Sequence, residues 1–161
     1  NRTFAREGLS FQRGDAQNLP FPDENFDRVV NVESSHCYPK PEIFLREVFR
    51  VLRRGGYLLM SDFRDTADTI PPSTESRSQL LAQMRQAGFE IEVQEDITAN
   101  VLASLDLDHD RKVEGLKNMS EVNKKKMGDV VEWVVALKNG PIYNDFKEGR
   151  KCYIRFVCRK P

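Results

Sequence analysis

The sequence predicts an α/β fold with a mostly parallel sheet, and three features support this prediction. Short apolar runs of strand length alternate along the chain with segments whose apolar residues recur at helical spacing. Glycines stand at the points where these helices have to end. Near the C-terminus, residues 151–159 (KCYIRFVCR) alternate between two faces, as an antiparallel strand does. We therefore expect a parallel sheet with an antiparallel C-terminal edge.

The first predicted elements are two strands joined by a tight turn. Residues 9–16 (LSFQRGDA) alternate apolar and polar side chains and predict a short strand. Residues 19–25 (LPFPDEN) contain two prolines, which disfavour a central strand and favour turns. Residues 26–35 (FDRVVNVESS) carry a compact run of valines, which predicts a buried parallel strand.

A helix, a strand and a second helix follow along the chain. Pro41 suits the first turn of a helix, and the apolar residues after it recur at helical spacing until Gly55-Gly56. Residues 57–63 (YLLMSDF) predict the next buried strand. A second helix is expected from about Thr74 to Gly88, where its apolar face stops.

The last third of the chain is predicted to combine helices with the remaining strands. Residues 89–96 (FEIEVQED) alternate apolar and charged side chains, as a half-exposed strand does. Residues 98–139 are mostly helical in pattern and precede the terminal strand. The length of 161 residues suits one domain, so residues 1–161 are interpreted as a single unit.

The composition excludes several classes of function. Lys plus Arg equals Asp plus Glu at 25 each, so the net charge of zero predicts no nucleic-acid partner. No apolar run approaches the roughly eighteen residues that a membrane span requires. Residues 106–110 (DLDHD) begin like a calcium loop, but Arg111 and Lys117 stand where that loop needs Gly and Glu. We therefore expect no metal site.

The cysteines favour a reducing, cytoplasmic setting. Cys152 and Cys158 lie six residues apart in one predicted strand, a separation of about 20 Å in extended backbone. Cys37 is far from both in sequence. A disulfide between the two strand cysteines is excluded by this distance.

Polar side chains follow three of the predicted strands directly. They occur in GDAQ (residues 14–17), NVESSHCY (residues 31–38) and SDFRD (residues 61–65). In parallel α/β sheets, ligands bind beyond the carboxyl ends of the strands. The sequence therefore predicts a ligand site at this edge of the sheet.

Residues 13–64 carry a pattern that resembles the middle of a class I S-adenosylmethionine-dependent methyltransferase. The pattern is G-D-A, then L-P-F-P-D-x-x-F-D, a strand, L-x-E-x-x-R-V-L-x-x-G-G and a closing strand. The segment NVESSHCYP is similar to the subgroup that methylates hydroxyls of lipid or polyketide products, such as phthiotriol-type methyltransferases. The resemblance implies a partial Rossmann-like sheet, S-adenosylmethionine as cofactor, and residues 98–139 as a helical cap over the substrate.

The resemblance also implies a set of cofactor contacts. The adenine would meet the carboxylate of Asp15 and the backbone N–H of Ala16, with Gln17 along the same wall. The methionine part would meet the end of the next strand, at Asn31, Val32 and Glu33. An alternative for Asp15 is a purely structural one, in which its carboxylate caps a turn.

The expected substrate site follows the same strand end. His36 has an unperturbed pKa near neutrality, so it is predicted to take the hydroxyl proton as the oxygen attacks the methyl group. Glu33 would share that role. His36 as an ordinary hydrogen-bonded loop residue, and Asp62 as a strand-end hydrogen-bond acceptor, stay as alternatives. The predicted substrate contacts are Ser35, His36, Tyr38, Asp62 and Trp133.

Part of the family pattern does not occur in this sequence. A complete domain of the family has a strand, a glycine-rich turn and an acidic residue before the point that corresponds to Asn1. We therefore expect either a missing N-terminal segment or a second chain that completes the sheet. The predicted function is methyl transfer to a hydroxyl of a small, lipid-like or polyketide acceptor.

Two alternative functions stay open at this point. A nicotinamide-dependent oxidoreductase would share the sheet, but it would carry a G-x-G-x-x-G turn, which does not occur here. A methyltransferase-like module without catalysis, serving as a binding or regulatory partner, would keep the fold without the chemistry.

Overall fold

A computed structural model describes residues 7–66, 76–120 and 136–161. In this part of the chain, four strands form one sheet in the order β1-β2-β4-β3, with helices packed against it. In chain order the elements are β1 (Phe26–Val32), α1 (Pro41–Val51), β2 (Leu52–Asp65), α2 (Arg77–Gln86), β3 (Glu90–Asp96), α3 (Thr98–Lys117), α4 (Pro141–Lys147) and β4 (Lys151–Arg159). A short 3₁₀ turn, Ser35–Cys37, follows β1.

The predicted parallel β-α-β unit is confirmed. β1 pairs with β2 in parallel, with Val30 opposite Leu59 and Val32 opposite Ser61. α1 makes the crossover between them. Its first residue is Pro41, whose missing N–H is not needed in the first turn of a helix. The face of α1 that packs on the sheet consists of Phe44, Leu45, Val48 and Val51, all of which are buried.

β2 begins earlier than the sequence predicts. α1 ends at Val51 and Leu52 already belongs to β2, whereas the apolar spacing predicted a helix up to Gly55. The backbone around the two glycines pairs with the C-terminal residues: Gly55 N donates to Lys160 O, and Lys160 N donates to Gly56 O. A Cβ atom at Gly56 would lie 2.8 Å from Arg53 O and 3.0 Å from Asp27 O, so the close approach of these backbone segments requires glycine.

The predicted antiparallel edge is confirmed. β4 runs antiparallel to both of its neighbours, with Phe156 opposite Met60 of β2 and Gln94 of β3. β3 lies outermost, so β3 and the terminal strand β4 together form this edge. Residues 151–154 of β4 are buried, because side chains on both faces of this segment are covered by other elements.

The main core lies between the sheet and the two helices α1 and α2. α2 starts with a capping box, in which Ser76 and Gln79 each accept from the other's backbone N–H. The predicted start at Thr74 lies outside the described residues. Gly88 ends the helix with φ +101°, a conformation that favours glycine. The largest fully buried apolar side chains of this core are Leu45, Leu52, Leu58, Met60, Leu80, Met84 and Phe156.

Two sequence predictions about the N-terminal part are wrong. Residues 9–16 form no strand, and Leu9 and Phe11 are 48% and 57% exposed. Alternation of polar and apolar residues makes a strand only when a neighbouring strand accepts its backbone hydrogen bonds, and no described strand lies beside this segment. β1 was expected to be buried, yet Val30 and Val32 are exposed, because one face of this edge strand is uncovered in the described part of the chain.

The proline-rich corner is held by two charged side chains of α1. Glu47 accepts from the backbone N–H of Leu19 at 2.8 Å, and it also pairs with Arg50. The Arg50 guanidinium donates to the carbonyl oxygens of Leu19 and Phe21. These contacts fix the chain that leads into β1.

No helix in the described ranges is long and apolar enough to span a membrane.

The three cysteines are expected to differ sharply in reactivity. Cys37 is exposed, whereas Cys152 and Cys158 are buried in β4. Burial raises the pKa of the Cys158 thiol to about 12 and also raises that of Cys152. Because the thiolate is the reactive form, iodoacetamide should modify Cys37 alone in the native state and all three cysteines in denaturant. Peptide mass spectrometry checks this, and rapid native labelling of Cys158 would contradict the packing of β4.

Candidate active site

A pocket of about 340 Å³ lies beyond the carboxyl ends of β1 and β2, where the sequence predicts a ligand site. Its polar side chains are Glu33, His36 and Tyr153. The apolar wall comes from the end of β2, from the helices α3 and α4, and from the turn before α4: Phe63, Val101, Leu105, Ile142, Phe146 and Ala136. α3 belongs to the predicted helical segment 98–139, whereas α4 lies beyond its predicted end.

The carboxylate of Asp62 holds the turn that carries His36. Asp62 Oδ1 lies 2.8 Å from His36 Nδ1, and Asp62 Oδ2 accepts from the backbone N–H of His36 at 3.1 Å. Ser35 Oγ donates to the same Oδ2 at 2.6 Å. The His36 ring packs against the Phe63 ring with centroids 4.3 Å apart. The imidazole is therefore fixed in position and orientation at the edge of the pocket.

The Asp62 carboxylate is ionised, and this decides which histidine nitrogen carries the proton. Burial by itself raises the pKa of Asp62, but the Ser35 hydrogen bond, the Arg64 charge and His36 outweigh it, so the pKa lies below its usual value. An ionised carboxylate only accepts hydrogen bonds, so His36 Nδ1 carries the hydrogen. Nε2 of His36 then has a lone pair and no hydrogen-bond partner among the described residues.

This network predicts a loss of stability in acid. The folded-state pKa of Asp62 is depressed, so its contribution to the free energy of unfolding is present above the unfolded pKa of about 4 and is lost as the pH falls through the folded value. Urea unfolding of the wild type and Asp62→Asn from neutral pH to pH 3 measures the difference. We expect the difference in the free energy of unfolding between the two proteins to become smaller in acid. A difference that does not change with pH would contradict the ionised network.

A second polar pair lies in the same pocket. Tyr153 Oη donates to Glu33 Oε1 at 2.9 Å, and Glu33 N donates to Ser61 O at 3.0 Å. Burial raises the pKa of the Tyr153 phenol, and the Glu33 carboxylate raises it further, so the phenol stays protonated. Glu33 has φ +46°, a left-handed conformation that is strained for a residue with a Cβ atom. Strain of this kind concentrates at functional sites.

Asn31 and Tyr38 belong to a third polar cluster behind the turn. Asn31 Nδ2 donates to Ser34 Oγ at 2.8 Å and to Tyr38 Oη at 3.1 Å. The Tyr38 ring packs against Phe44, with centroids 4.7 Å apart. Asn31 is buried and its Oδ1 has no partner in the described ranges. A buried acceptor is normally paired with a protein group, a water or a ligand, and the cofactor contact of Asn31 stays a prediction.

The carboxylate of Asp15 caps its own turn, as the purely structural interpretation of this residue predicts. Asp15 Oδ1 accepts from the backbone N–H of Gln17 at 2.9 Å, and Asp15 O accepts from Asn18 N at 3.0 Å. Ala16 is partly buried against the main core. Gln17 is half-buried, with Oε1 unpaired among the described residues. The adenine contacts of Asp15, Ala16 and Gln17 stay a prediction, and turn capping leaves Asp15 Oδ2 available for such a contact.

The remaining predicted site residues take different positions. Ser35 and Asp62 are buried and do not line the pocket, so they act on it through His36. Val32 lies on the uncovered face of the sheet, beside a shallow depression of about 450 Å³. Trp133 lies outside the described residues. The cofactor contact of Val32 and the substrate contacts of Tyr38 and Trp133 stay predictions.

Sequence reasoning missed three residues that shape the site. The alternating pattern of the last strand places Tyr153 only on one of its two faces, and the contact of Tyr153 with Glu33 spans 120 positions. Arg64 is completely buried beside Asp62, with Nη1 3.3 Å from Oδ2. Phe63 supplies the ring that packs on His36. The motif SDFRD offered one usable signal, since an arginine between two aspartates at a strand end indicates an ion-pair network.

The sequence and the fold are similar to those of known methyltransferases. A family profile described as a methyltransferase domain matches residues 1–60. The fatty-acid O-methyltransferase of Mycolicibacterium smegmatis is 53% identical over 88 residues, which cover 52% of this chain and 31% of that protein. The "probable phthiotriol/phenolphthiotriol dimycocerosates methyltransferase 2" of Mycobacterium ulcerans is 44% identical over 140 residues, 87% of this chain and 50% of that protein.

One solved structure is similar over nearly the whole chain. The cyclase SpnF superposes with a TM-score of 0.70 and 27% identity, covering 96% of this chain and 58% of its own. In the curated relatives, the matched region is half of the protein or less. The chain therefore spans about half the length of the Mycobacterium ulcerans protein, and less of the Mycolicibacterium smegmatis protein.

Proposed function

We propose, from the premise that the chain belongs to the class I S-adenosylmethionine-dependent methyltransferases, that it is part of an enzyme that methylates a hydroxyl of a lipid-like acceptor. The observation that carries this proposal is the His36–Asp62 pair at the edge of an apolar pocket. Aliphatic alcohols are weak nucleophiles, so a base positioned at the hydroxyl proton assists their attack.

The mechanism assigns one task to each residue of the pair. His36 Nε2 accepts the proton of the acceptor hydroxyl while the oxygen forms its new bond to carbon. Asp62 keeps Nδ1 protonated and stabilises the imidazolium that results. Phe63 keeps the ring plane fixed, and the apolar wall excludes water from the reacting oxygen. Glu33 is within the same pocket and would share the proton-accepting role.

Residues on both sides of the turn fit the family's cofactor. S-adenosylmethionine supplies a methyl group on a positively charged sulfur when it is bound. Asn31 offers a buried Oδ1 that has no partner in the described part of the chain, which suits a donor from the methionine part. Asp15 and Ala16 would hold the adenine, with Gln17 along the same wall. Val32 and Glu33 would meet the methionine part together with Asn31.

The names of the relatives agree with a lipid-like acceptor. One is named for fatty acids and the other for phthiotriol dimycocerosates, both of which are long apolar molecules. In this chain, six of the nine residues that line the pocket are apolar. An apolar pocket with a few convergent polar groups is the usual form of a small-molecule site.

Two further statements belong to the proposal. The free thiols Cys37, Cys152 and Cys158 suit a cytoplasmic location.

The uncovered edge and face of β1, with Val30 and Val32 exposed, suit a further segment or a complementing chain that packs there. Within the folded protein, residues 98–139 would then serve as the cap over the acceptor.

The proposal is tested by methyl transfer in the complete protein. S-adenosylmethionine with a labelled methyl group is incubated with a long-chain alcohol, and the methyl ether is identified by mass spectrometry. Calorimetry with S-adenosylhomocysteine measures cofactor binding separately. We expect ether formation and saturable binding. Binding without any methylated product would favour a non-catalytic module, and preferential binding of a nicotinamide dinucleotide would favour an oxidoreductase.

A further inference from the structure

We infer that Glu33 makes the pocket selective for a neutral hydroxyl-bearing chain and against a carboxylate. This inference rests on the proposed function for its biological meaning. The names of the two relatives differ in the acceptor that they indicate, since one names fatty acids and the other a phthiotriol. The selectivity itself is a property of the pocket and is measurable by binding alone.

The first argument is the charge of the lining residues. Among the described residues that line the pocket, Glu33 is the only carboxylate, and none is a lysine or an arginine. Two cations lie near the end of β2, but both are engaged with carboxylates: Arg64 with Asp62, and Lys151 with Asp65. A carboxylate entering this pocket would therefore meet a like charge and no lining cation to compensate for its lost hydration.

The second argument is the way in which Glu33 is held. Tyr153 Oη donates to Glu33 Oε1, and this neutral phenol orients the carboxylate without cancelling its charge. The Glu33 backbone is fixed by its N–H bond to Ser61 and by a left-handed φ of +46°. The negative group is thus fixed in place. It can accept a hydrogen bond from a hydroxyl, whereas a carboxylate has no hydrogen to donate.

The third argument is independent of Glu33 and comes from the proton chemistry. A carboxylate acceptor is already ionised at neutral pH and needs no base. An alcohol needs one, and His36 is oriented by Asp62 with Nδ1 protonated and Nε2 available. A pocket built for a carboxylate would have no use for this buried network. The base and the fixed negative charge therefore favour the same acceptor class.

The experiment compares two probes that differ only in the head group, 1-octanol and octanoate, at neutral pH. Ligand-detected NMR and calorimetry give their dissociation constants for the wild type, Glu33→Gln and Glu92→Gln. The glutamine of Glu33→Gln keeps the shape of the side chain and an acceptor for Tyr153 while removing the charge. Glu92 lies exposed on β3 and does not line the pocket, so its substitution is the matched control for net charge.

We expect the wild type and Glu92→Gln to bind 1-octanol at least about tenfold more tightly than octanoate, which corresponds to a difference of ~1.4 kcal/mol. Glu33→Gln should reduce that ratio to about threefold or less, mainly by strengthening octanoate binding. Equal or tighter binding of octanoate by the wild type would overturn the inference. The inference would also be overturned if Glu33→Gln left the ratio of the two dissociation constants unchanged, or if the wild type bound neither probe.

Methyl transfer separates this inference from the proposed function. In the complete protein, the preference should reappear as faster methylation of the alcohol than of the carboxylate. If the binding preference is found and depends on Glu33 but neither probe is methylated, the proposed function fails and the selectivity of the pocket stands. If the carboxylate is methylated faster, the inference fails and the methyltransferase assignment stands.

Discussion

Replacing His36 with asparagine is expected to slow methyl transfer to an alcohol by about 10²–10⁴-fold, the usual contribution of a positioned general base. The loss should appear in kcat and leave KM nearly unchanged, because the base acts on a proton that moves only in the transition state. The substituted asparagine retains a donor for Asp62, so the turn at Ser35–Cys37 should stay folded. Initial rates over a range of alcohol concentrations, with labelled methyl transfer as readout, measure both parameters.

The chain offers a matched control for this substitution. His109, in α3, is the second of the two histidines and does not line the pocket. His109→Asn should therefore keep the wild-type rate. A His36→Asn enzyme within about threefold of the wild type would exclude the base role, since even the low end of that contribution is about 10²-fold. His36 would then be the ordinary hydrogen-bonded loop residue that the sequence also allowed.

Asp62 is expected to affect the same rate indirectly. Asp62→Asn would keep the size of the side chain but would present an amide to Nδ1, which favours the tautomer with the hydrogen on Nε2. The value of kcat should fall, because Nε2 then carries a hydrogen and the imidazolium formed during the reaction loses its neighbouring anion. A merely structural role would lower the amount of folded protein and leave kcat per folded molecule unchanged.

The local elements of this fold follow from the sequence because their signals are short-range. The apolar spacing of α1 and its N-terminal Pro41 depend on neighbours within a few residues, and the helix begins where they predict. The place of β4 between β2 and β3 depends on pairing between residues about 95 and about 65 positions apart, which no local pattern encodes. Strand order was therefore the part that sequence reasoning placed incompletely.

Residues 9–16 also show that a local sequence pattern does not determine strand pairing. Their alternation of Leu9 and Phe11 with polar residues is a valid strand signal, but a strand also needs a partner for its N–H and C=O groups. Within this segment the structure has isolated bridge residues at Leu9 and at Asp15, which pairs with Asn18, and no continuous strand. The hydrophobic pattern of these residues predicts which side chains would share an apolar face. Whether that face becomes buried depends on pairing with a strand that is distant in sequence.

The candidate site was predictable to the extent that it follows from parallel strand ends. His36 lies in the turn after β1 and Asp62 lies near the C-terminal end of its parallel neighbour β2, so their proximity follows from topology. The sequence also identified both as candidate site residues. Their direct hydrogen bond, and the burial of Arg64 behind it, depend on side-chain packing. Tyr153 reaches Glu33 only because β4 runs antiparallel beside β2, which the sequence did not reveal.

The fold alone does not decide the chemistry of this protein. The solved structure that covers 96% of the chain with a TM-score of 0.70 is named as a cyclase, whereas the curated relatives are named as methyltransferases. The same layers of sheet and helices thus accompany different reactions. The proposed reaction rests on specific groups: Nε2 of His36, the ionised Asp62, and Asn31 Oδ1, which has no partner among the described residues.

Replacing Arg64 with methionine is expected to lower the free energy of unfolding by about 3–5 kcal/mol, because it leaves the carboxylate of Asp62 buried without its cation. Both side chains are completely buried, with Arg64 Nη1 3.3 Å from Asp62 Oδ2. Arg64 also donates to Ser35 Oγ and to the carbonyl oxygen of Phe63, so the substitution removes two hydrogen bonds together with the ion pair. Urea-induced unfolding of the wild type and the variant gives the difference.

Arg53→Met is the matched control, because Arg53 lies on the same strand and pairs with Asp27 at 2.8 Å, but both side chains are more than half exposed. An exposed pair of this kind contributes about 0–1 kcal/mol, so its loss should be small. A second variant, Arg64→Met with Asp62→Leu, removes both buried charges and should recover much of the lost stability, since the cost comes from the unpaired ion. A loss for Arg64→Met no larger than for Arg53→Met would mean that water reaches Asp62. The dry, ionised network that orients His36 would then be wrong.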